Sequence, residues 1–308
     1  MQKIAAIALI AAPAFFLAAC SSDSAPAAST TAKPKATATA TDDGAKPVTA
    51  SESASATPHS TPTKPAESSG PAVKVTHVTA NGRDVSLLTM NPSKVSFRYV
   101  PGTESPGGYV ASKDAPDTYR KKMLAAFNGA FMLQHAEGGY TFRDKTYADL
   151  VDGAATMVIT PDGQLDVIKW NGQDPSQYRV IRQNLTLLID NGKDRTDGHN
   201  GCDDWGLLGT NPEAHRRCPG ERSALGVTKD GTVIYAFSYE SKAGDLATAL
   251  THAGAVRAME LDINNWWPSA YTYSDGTGKR IDPLVRDEPS RYSGKTPNKK
   301  DFVVVLPR

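Results

Sequence analysis

Residues 222–265 constrain the fold of this chain more than any other segment. They begin R-S-A-L-G-V-T-K, turn at Asp230-Gly231, and continue T-V-I-Y-A-F. An Asp-Gly pair between runs of β-branched and aromatic residues is the signature of a tight hairpin. Leu246, Ala249, Leu250 and Ala253 then recur at i, i+3, i+4 and i+7, which makes one apolar face of a short helix. Gly254 ends that helix. Residues 256–261 return as a buried strand, with Asp262 at its carboxyl end. Strand, helix and returning strand predict a right-handed crossover. Ligands of such sheets bind beyond the carboxyl ends of the strands, so Asp262 is placed where chemistry is done.

The rest of the chain is read more coarsely. Residues 85–90 and 95–100 are expected to pair across the Asn91-Pro92-Ser93 turn. Residues 117–123 read as a short helix, and 124–127 as a strand that delivers Asn128-Gly129. Residues 156–160 and 165–170 form a hairpin across Pro161-Asp162-Gly163. Short strands at 178–182 and 185–189 surround Gln183-Asn184. Residues 190–220 are a long irregular insertion, a kind of segment that usually forms a functional rim or lid. Residues 302–306 close the domain as a buried strand. The expected class is α+β: mixed β-sheets with flanking helices, containing one β-hairpin/βαβ unit around residues 222–262.

Several short motifs together resemble the phosphodiester glycosidase family. That family carries an R-x-A-x-G strand before a D-G hairpin, a helix ending G-A, and a strand ending L-D-G-G-G-S. The counterparts are Arg222, Ala224, Gly226, Asp230-Gly231, Gly254-Ala255 and Leu261-Asp262. An upstream N-G-G-F-F element corresponds to Asn128-Gly129-Ala130-Phe131-Met132. The resemblance spans roughly residues 75–308. One departure is marked: the glycine-rich run after the aspartate is replaced by Ile263-Asn264-Asn265-Trp266-Trp267. The M-E-L-D-I-N-x-x-W form looks like an actinobacterial lipoprotein branch. Two indoles in place of small residues must reshape the pocket floor.

The first 19 residues read as a lipoprotein signal peptide. Lys3 precedes an apolar stretch too short to span a membrane comfortably, which ends Leu17-Ala18-Ala19-Cys20. This matches a bacterial lipobox, so cleavage before Cys20 and lipidation of Cys20 are expected; ordinary secretion is the competing reading. Each buried acyl methylene would contribute about 0.8 kcal/mol to membrane anchoring. Residues 20–72 are rich in Ser, Thr, Ala and Pro with almost no large apolar residues, the composition of a disordered tether. Fifty such residues span about 40 Å root-mean-square. Residues 73–308 form the phosphodiester glycosidase-like domain. The formal net charge is +1, and no basic run or basic-aromatic interleaving points to nucleic acid. Besides Cys20, the chain has Cys202 and Cys218. Outside the cell they are expected to form a disulfide, whose loop of about 15 residues would contribute near 3 kcal/mol. With His199 and His215 they could instead bind zinc, but the spacing fits no standard zinc pattern. No metal and no other cofactor is expected.

Asp262 is the first catalytic candidate. Glu260 lies two residues earlier, on the same strand face if the strand is regular. Neighbouring carboxylates push their proton affinities apart, which separates acid from base or nucleophile. Alternatively Asp262 caps a turn, and Glu260 pairs with Arg257 or Arg222. Arg222 has the fork that suits a phosphodiester, or it forms an ion pair with Glu221 or Glu240. Asn128 and Gly129 are expected to bind substrate through the amide and an accessible backbone. Asn264, Trp266, Gln183 and Asn184 complete the expected sugar contacts, with one of Trp266 and Trp267 in the site and one in packing. No nucleophile elbow or phosphate loop occurs. The implied activity is an exported, lipid-anchored hydrolase that cleaves a glycosyl phosphodiester of an envelope polymer. The alternatives are a non-catalytic cell-wall glycan-binding lipoprotein and a glycosidase without phosphate specificity.

Overall fold

The structure, a computed structural model, describes residues 69–104, 119–196, 219–264, 266–274, 277–282, 288–294 and 298–308. The signal peptide, Cys20, the tether up to residue 68, Asn265, and Cys202 and Cys218 with His199 and His215 lie outside the described residues.

Three antiparallel sheets carry the domain. The largest has seven strands in the order β1 (Val73–Ala80), β2 (Arg83–Met90), β13 (Val233–Ser241), β12 (Gly220–Thr228), β14 (Ala255–Glu260), β10 (Leu187–Asp190) and β11 (Lys193–Asp194). The second has the order β16 (Thr277–Arg280), β15 (Ala270–Ser274), β4 (Ala125–Asn128), β17 (Phe302–Pro307) and β3 (Val95–Val100). The third runs β6 (Lys145–Ala148), β5 (Tyr140–Phe142), β9 (Val180–Gln183), β7 (Ala155–Ile159) and β8 (Leu165–Lys169). Among the described residues the one α-helix is α1 (Ala243–His252).

The alternation of side chains explains the layering. Val233, Tyr235 and Phe237 of β13 face a central core that also takes Phe127 of β4, Met157 of β7 and Val303 and Val305 of β17. All three sheets therefore share one apolar interior. The intervening Ile234 and Ala236 face the other way and pack under Leu246, Ala249 and Leu250 of α1. Because both faces of β13 are buried, its sequence reads as a continuous apolar run. The helix sits close: a Cβ on Gly226 would lie 3.0 Å from Leu250 and 3.1 Å from Ala255. The last glycine of R-x-A-x-G is thus a packing requirement. Asp245 accepts the Lys242 backbone N–H at 2.9 Å and so serves the helix start, where a negative charge is favoured. Gly254, at φ +90, ends the helix in a conformation that glycine adopts without penalty.

This architecture corrects the expected α+β class with flanking helices. The fold is mostly β, with sheet packed on sheet, and α1 covers only one face of the largest sheet. The βαβ expectation is corrected in its pairing. Strands β13 and β14 run in the same direction but are not neighbours, because β12 lies between them and pairs antiparallel with both. A hairpin followed by a helix returns the chain to the far side of β12, and sequence order alone does not show which edge is taken. The expected helix at 117–123 is, in its described part, a 3-10 turn at Arg120–Lys122. The expected pairing of β2 with β3 does not form either. The Asn91 turn instead carries the chain from the first sheet into the second.

Candidate functional site

The site grows from the place where the first two sheets meet. Leu261 still follows the ladder of β12, donating its N–H to the Ser223 carbonyl at 2.8 Å. The next N–H, that of Asp262, leaves the sheet and donates to the Gly129 carbonyl at 3.1 Å. Asp262 is therefore held by the end of β14 on one side and the end of β4 on the other. Its residue is 2% exposed. One carboxylate oxygen accepts the Asn264 N–H at 2.9 Å and the other is bonded to the Lys300 ammonium. Burial holds the carboxyl above the ordinary aspartate range. Lys300 and the Asn264 N–H pull it back, while the charge of Asp301 pushes in the same direction as burial.

Asn128 and Gly129 are brought to this point, but the fold itself occupies them. The Asn128 amide donates to Ser223 Oγ at 2.9 Å and to the Gly129 carbonyl at 3.0 Å. Its oxygen accepts from Tyr235 Oη at 2.7 Å and from the Ser269 N–H at 3.0 Å. Those four bonds use both donors and both lone pairs of the amide. Ser223 Oγ in turn donates to the Asp262 carbonyl at 2.7 Å. Asn128 is the knot that ties β4, β12, β13 and the start of β15 together beneath Asp262. Gly129 is needed for the close approach of protein, since a Cβ there would stand 2.5 Å from Asp301 Oδ2 and 2.6 Å from its Cγ.

Arg222 and Glu260 form a buried pair. Ala224 lies opposite Glu260 across the β12–β14 ladder, which places Arg222 diagonally to it. The guanidinium reaches Glu260 at 2.6 Å and donates Nε–H to the Ser241 carbonyl at 3.1 Å. The two side chains are 2% and 1% exposed, so of the pairings open to it in the sequence, Arg222 takes Glu260. Glu240 pairs with Arg83 instead, and Arg257 with Asp166. Burial raises the proton affinity of Glu260, Arg222 opposes this, and the nearby charge of Asp262 adds to it. The two carboxylates therefore sense one another, as the i, i+2 spacing implies.

Asn184 adjoins the site, donating to the Glu260 carbonyl at 2.8 Å. Gln183 points elsewhere. Its amide bonds Gly139, Val151 and Thr156 within the third sheet and its flanking loops, and all four of its bonding positions are taken.

The outer wall joins Asn264, Trp266 and Trp267, which the sequence singled out, to Lys300 and Arg291, which it did not. The backbone N–H of Trp267 donates to the Asn264 carbonyl at 2.7 Å, which closes the loop after Asp262. Over the Trp267 ring lie Lys300 at 5.1 Å and Arg291 at 5.5 Å, both favourable cation–π distances. Arg291 bonds Glu288 at 3.3 Å and the Trp266 carbonyl. Trp266 is 60% exposed. The site thus combines a buried carboxyl, two cations whose side chains are 12% and 11% exposed, and an indole open to solvent. Lys300 and Arg291 come from the segment between β16 and β17. Lys300 leaves a trace in the sequence as the Lys299-Lys300 step before Asp301 and the final apolar strand, and Arg291 leaves none. Among the described residues no group of three or more His, Cys, Asp or Glu side chains is placed to hold a metal ion.

No family model matches the sequence, and no curated protein does. Solved structures with some likeness include the catalytic domain of zebrafish N-acetylglucosamine-1-phosphodiester alpha-N-acetylglucosaminidase, auto-inhibited by its pro-peptide. It is 14% identical with a TM-score of 0.48, over 78% of this chain and 85% of that one. A hypothetical protein from Synechocystis is 14% identical with a TM-score of 0.42, over 78% of this chain and 64% of that one. A putative exported protein from Burkholderia pseudomallei is 12% identical with a TM-score of 0.42, over 73% and 74% of the two chains. Identities this low leave the chemistry of this chain to its own residues.

Proposed function

We propose that the domain is a hydrolase that cleaves the bond between a sugar's anomeric carbon and a phosphodiester, exported and anchored by lipid on Cys20. The observation that carries this reading is the convergence of Asp262, Lys300, Arg291 and the exposed Trp266 on one loop cluster. Trp266 offers an apolar face for a sugar ring. Lys300 and Arg291 are the cations near the surface, so they take the phosphate-binding role that the sequence suggested for Arg222, whose fork is spent on Glu260. In the substrate-free protein Lys300 neutralises Asp262. An arriving phosphate competes for the Lys300 ammonium and leaves Asp262 to stabilise a developing oxocarbenium centre or to activate water. A phosphate departs readily, so strong acid assistance is not required. The motif order that resembles the phosphodiester glycosidases supports the same assignment, and glycosyl-phosphate units of envelope polymers are the substrate class.

The test compares the soluble domain on a p-nitrophenyl glycoside and on the matching sugar-1-phosphate diester. Asp262→Asn should abolish turnover of the diester with the fold intact. Arg291→Met should reduce kcat/KM on the diester by roughly tenfold to a hundredfold, the worth of a charge-assisted contact, and should spare the phosphate-free glycoside. Equal losses on both substrates would make the protein a plain glycosidase. Glycan binding without turnover, unchanged in Asp262→Asn, would make it a binding module with Trp266 as its platform.

A further inference from the structure

Asp301 and Arg182 form a second ion pair, beside Gly129. Both side chains are 0% exposed, and Nε lies 3.2 Å from Oδ2. The same Oδ2 accepts from Tyr99 Oη at 2.7 Å. Arg182 spends its remaining reach on the Gln183 carbonyl at 3.0 Å and on the Phe131 carbonyl. Asp301 Oδ1 has no hydrogen-bond partner among the described residues. A buried pair of this kind is seldom the most stable filling of its space, because apolar side chains of similar volume often do as well or better. A carboxylate oxygen left unpartnered adds to the cost. Stability alone therefore does not account for the pair.

Its backbone connections point to another role. The Asp301 carbonyl accepts the Gly129 N–H at 2.9 Å, and the Gly129 carbonyl accepts the Asp262 N–H at 3.1 Å. Lys300, the neighbouring residue in the chain, is the partner of the Asp262 carboxylate. Lys300 and Asp301 are adjacent at the bend that leads into β17. Anchoring Asp301 in the interior thus holds the backbone from which Lys300 reaches Asp262. There is no slack at Gly129, where a Cβ would meet Asp301 Oδ2 at 2.5 Å.

We propose that the Asp301–Arg182 pair is the positioning device of the site: it fixes the Lys300 ammonium and the Gly129 carbonyl, and through them the Asp262 carboxylate. The proposal rests on the assignment of Asp262 as the working carboxylate. Neither member of the pair touches substrate. The charged groups that face Asp262 are Lys300, Asp301 and Glu260, the last already paired with Arg222. Losing the pair releases Lys300, whose hold on Asp262 outweighs the repulsion of Asp301, so the proton affinity of Asp262 rises; loss of the Asp301 charge alone would lower it.

Two variants of the soluble domain test this. Asp301→Asn keeps the shape of the side chain. Arg182→Gln with Asp301→Asn leaves no unpaired buried charge, and so keeps the test open if the single variant does not fold. On the sugar-1-phosphate diester, kcat/KM should fall by about tenfold to a hundredfold, the effect of a displaced catalytic group. The acid limb of the pH–rate profile should move to higher pH. Carbon-13 NMR of labelled aspartate carboxyls, with Asp262→Asn to assign the resonance, should show the Asp262 titration midpoint moving the same way without any substrate. An unmoved or lowered Asp262 midpoint in a folded double variant overturns the proposal even if the substrate assignment is correct. A raised midpoint in a protein that cleaves no phosphodiester sustains the positioning and rejects the substrate.

Discussion

The Arg222–Glu260 pair separates two roles for the most conspicuous basic residue of the sequence, and a double-mutant cycle measures which is right. The pair is 2.6 Å long, with side chains 2% and 1% exposed. Removing one partner leaves the other charge buried and uncompensated, which typically costs 3–5 kcal/mol. For a domain of this size that corresponds to about 6–20 °C in Tm. Glu260→Leu and Arg222→Met should each fall in this range. Together, Arg222→Met and Glu260→Leu leave no charge behind. The remaining loss is mainly the Ser241 carbonyl, which Arg222 Nε–H satisfies at 3.1 Å, worth about 1–3 kcal/mol. The double variant should therefore be more stable than either single variant, with a coupling energy larger than about 1 kcal/mol. Urea titrations of the soluble domain provide the free energies. Single variants within about 0.5 kcal/mol of wild type, or losses that simply add, would refute a structural pair. In a folded double variant, KM for the sugar-1-phosphate diester should stay within about twofold, whereas a large rise would return Arg222 to the substrate.

Two further predictions follow, the first from the structure and the second from the lipobox sequence. Burial raises the proton affinities of Asp262 and Glu260 above their unfolded values, so the native state binds more protons in the window between the unfolded and folded titrations. Stability contributed by these groups is fully present below the unfolded range near pH 4 and is lost as pH rises through the folded values; urea midpoints measured against pH should show Asp262→Asn gaining on wild type across that rise, and parallel curves would refute it. Cys20→Ala should shift the protein from the membrane fraction to the soluble fraction with the domain still folded, and a variant that is processed yet remains membrane-bound in high salt would remove the lipid anchor.

Much of the local structure was legible in the sequence because it depends on neighbours a few residues apart. The Asp230-Gly231 corner, the periodicity of α1 with Gly254 behind it, the hairpin of β7 and β8, and the buried run of β17 all follow from turn chemistry and from the alternation of apolar side chains. The position of Asp262 past the end of β14 followed from the same arithmetic, as did its nearness to Glu260. Pairing partners did not. Placing β12 between β13 and β14, and sending β2 and β3 into different sheets, are choices among edges that a local pattern does not rank. They turned an expected α+β arrangement into three packed antiparallel sheets. Tertiary structure alone also decided what each polar side chain bonds. A buried amide or guanidinium must satisfy its hydrogen-bonding groups wherever it lands, so Asn128, Gln183 and Arg222 were taken up by the protein itself. Lys300, Asp301 and Arg182 reached the site from positions 38 to 119 residues away from their partners. Such separations leave no periodic trace, because the contact exists only after the sheets have packed.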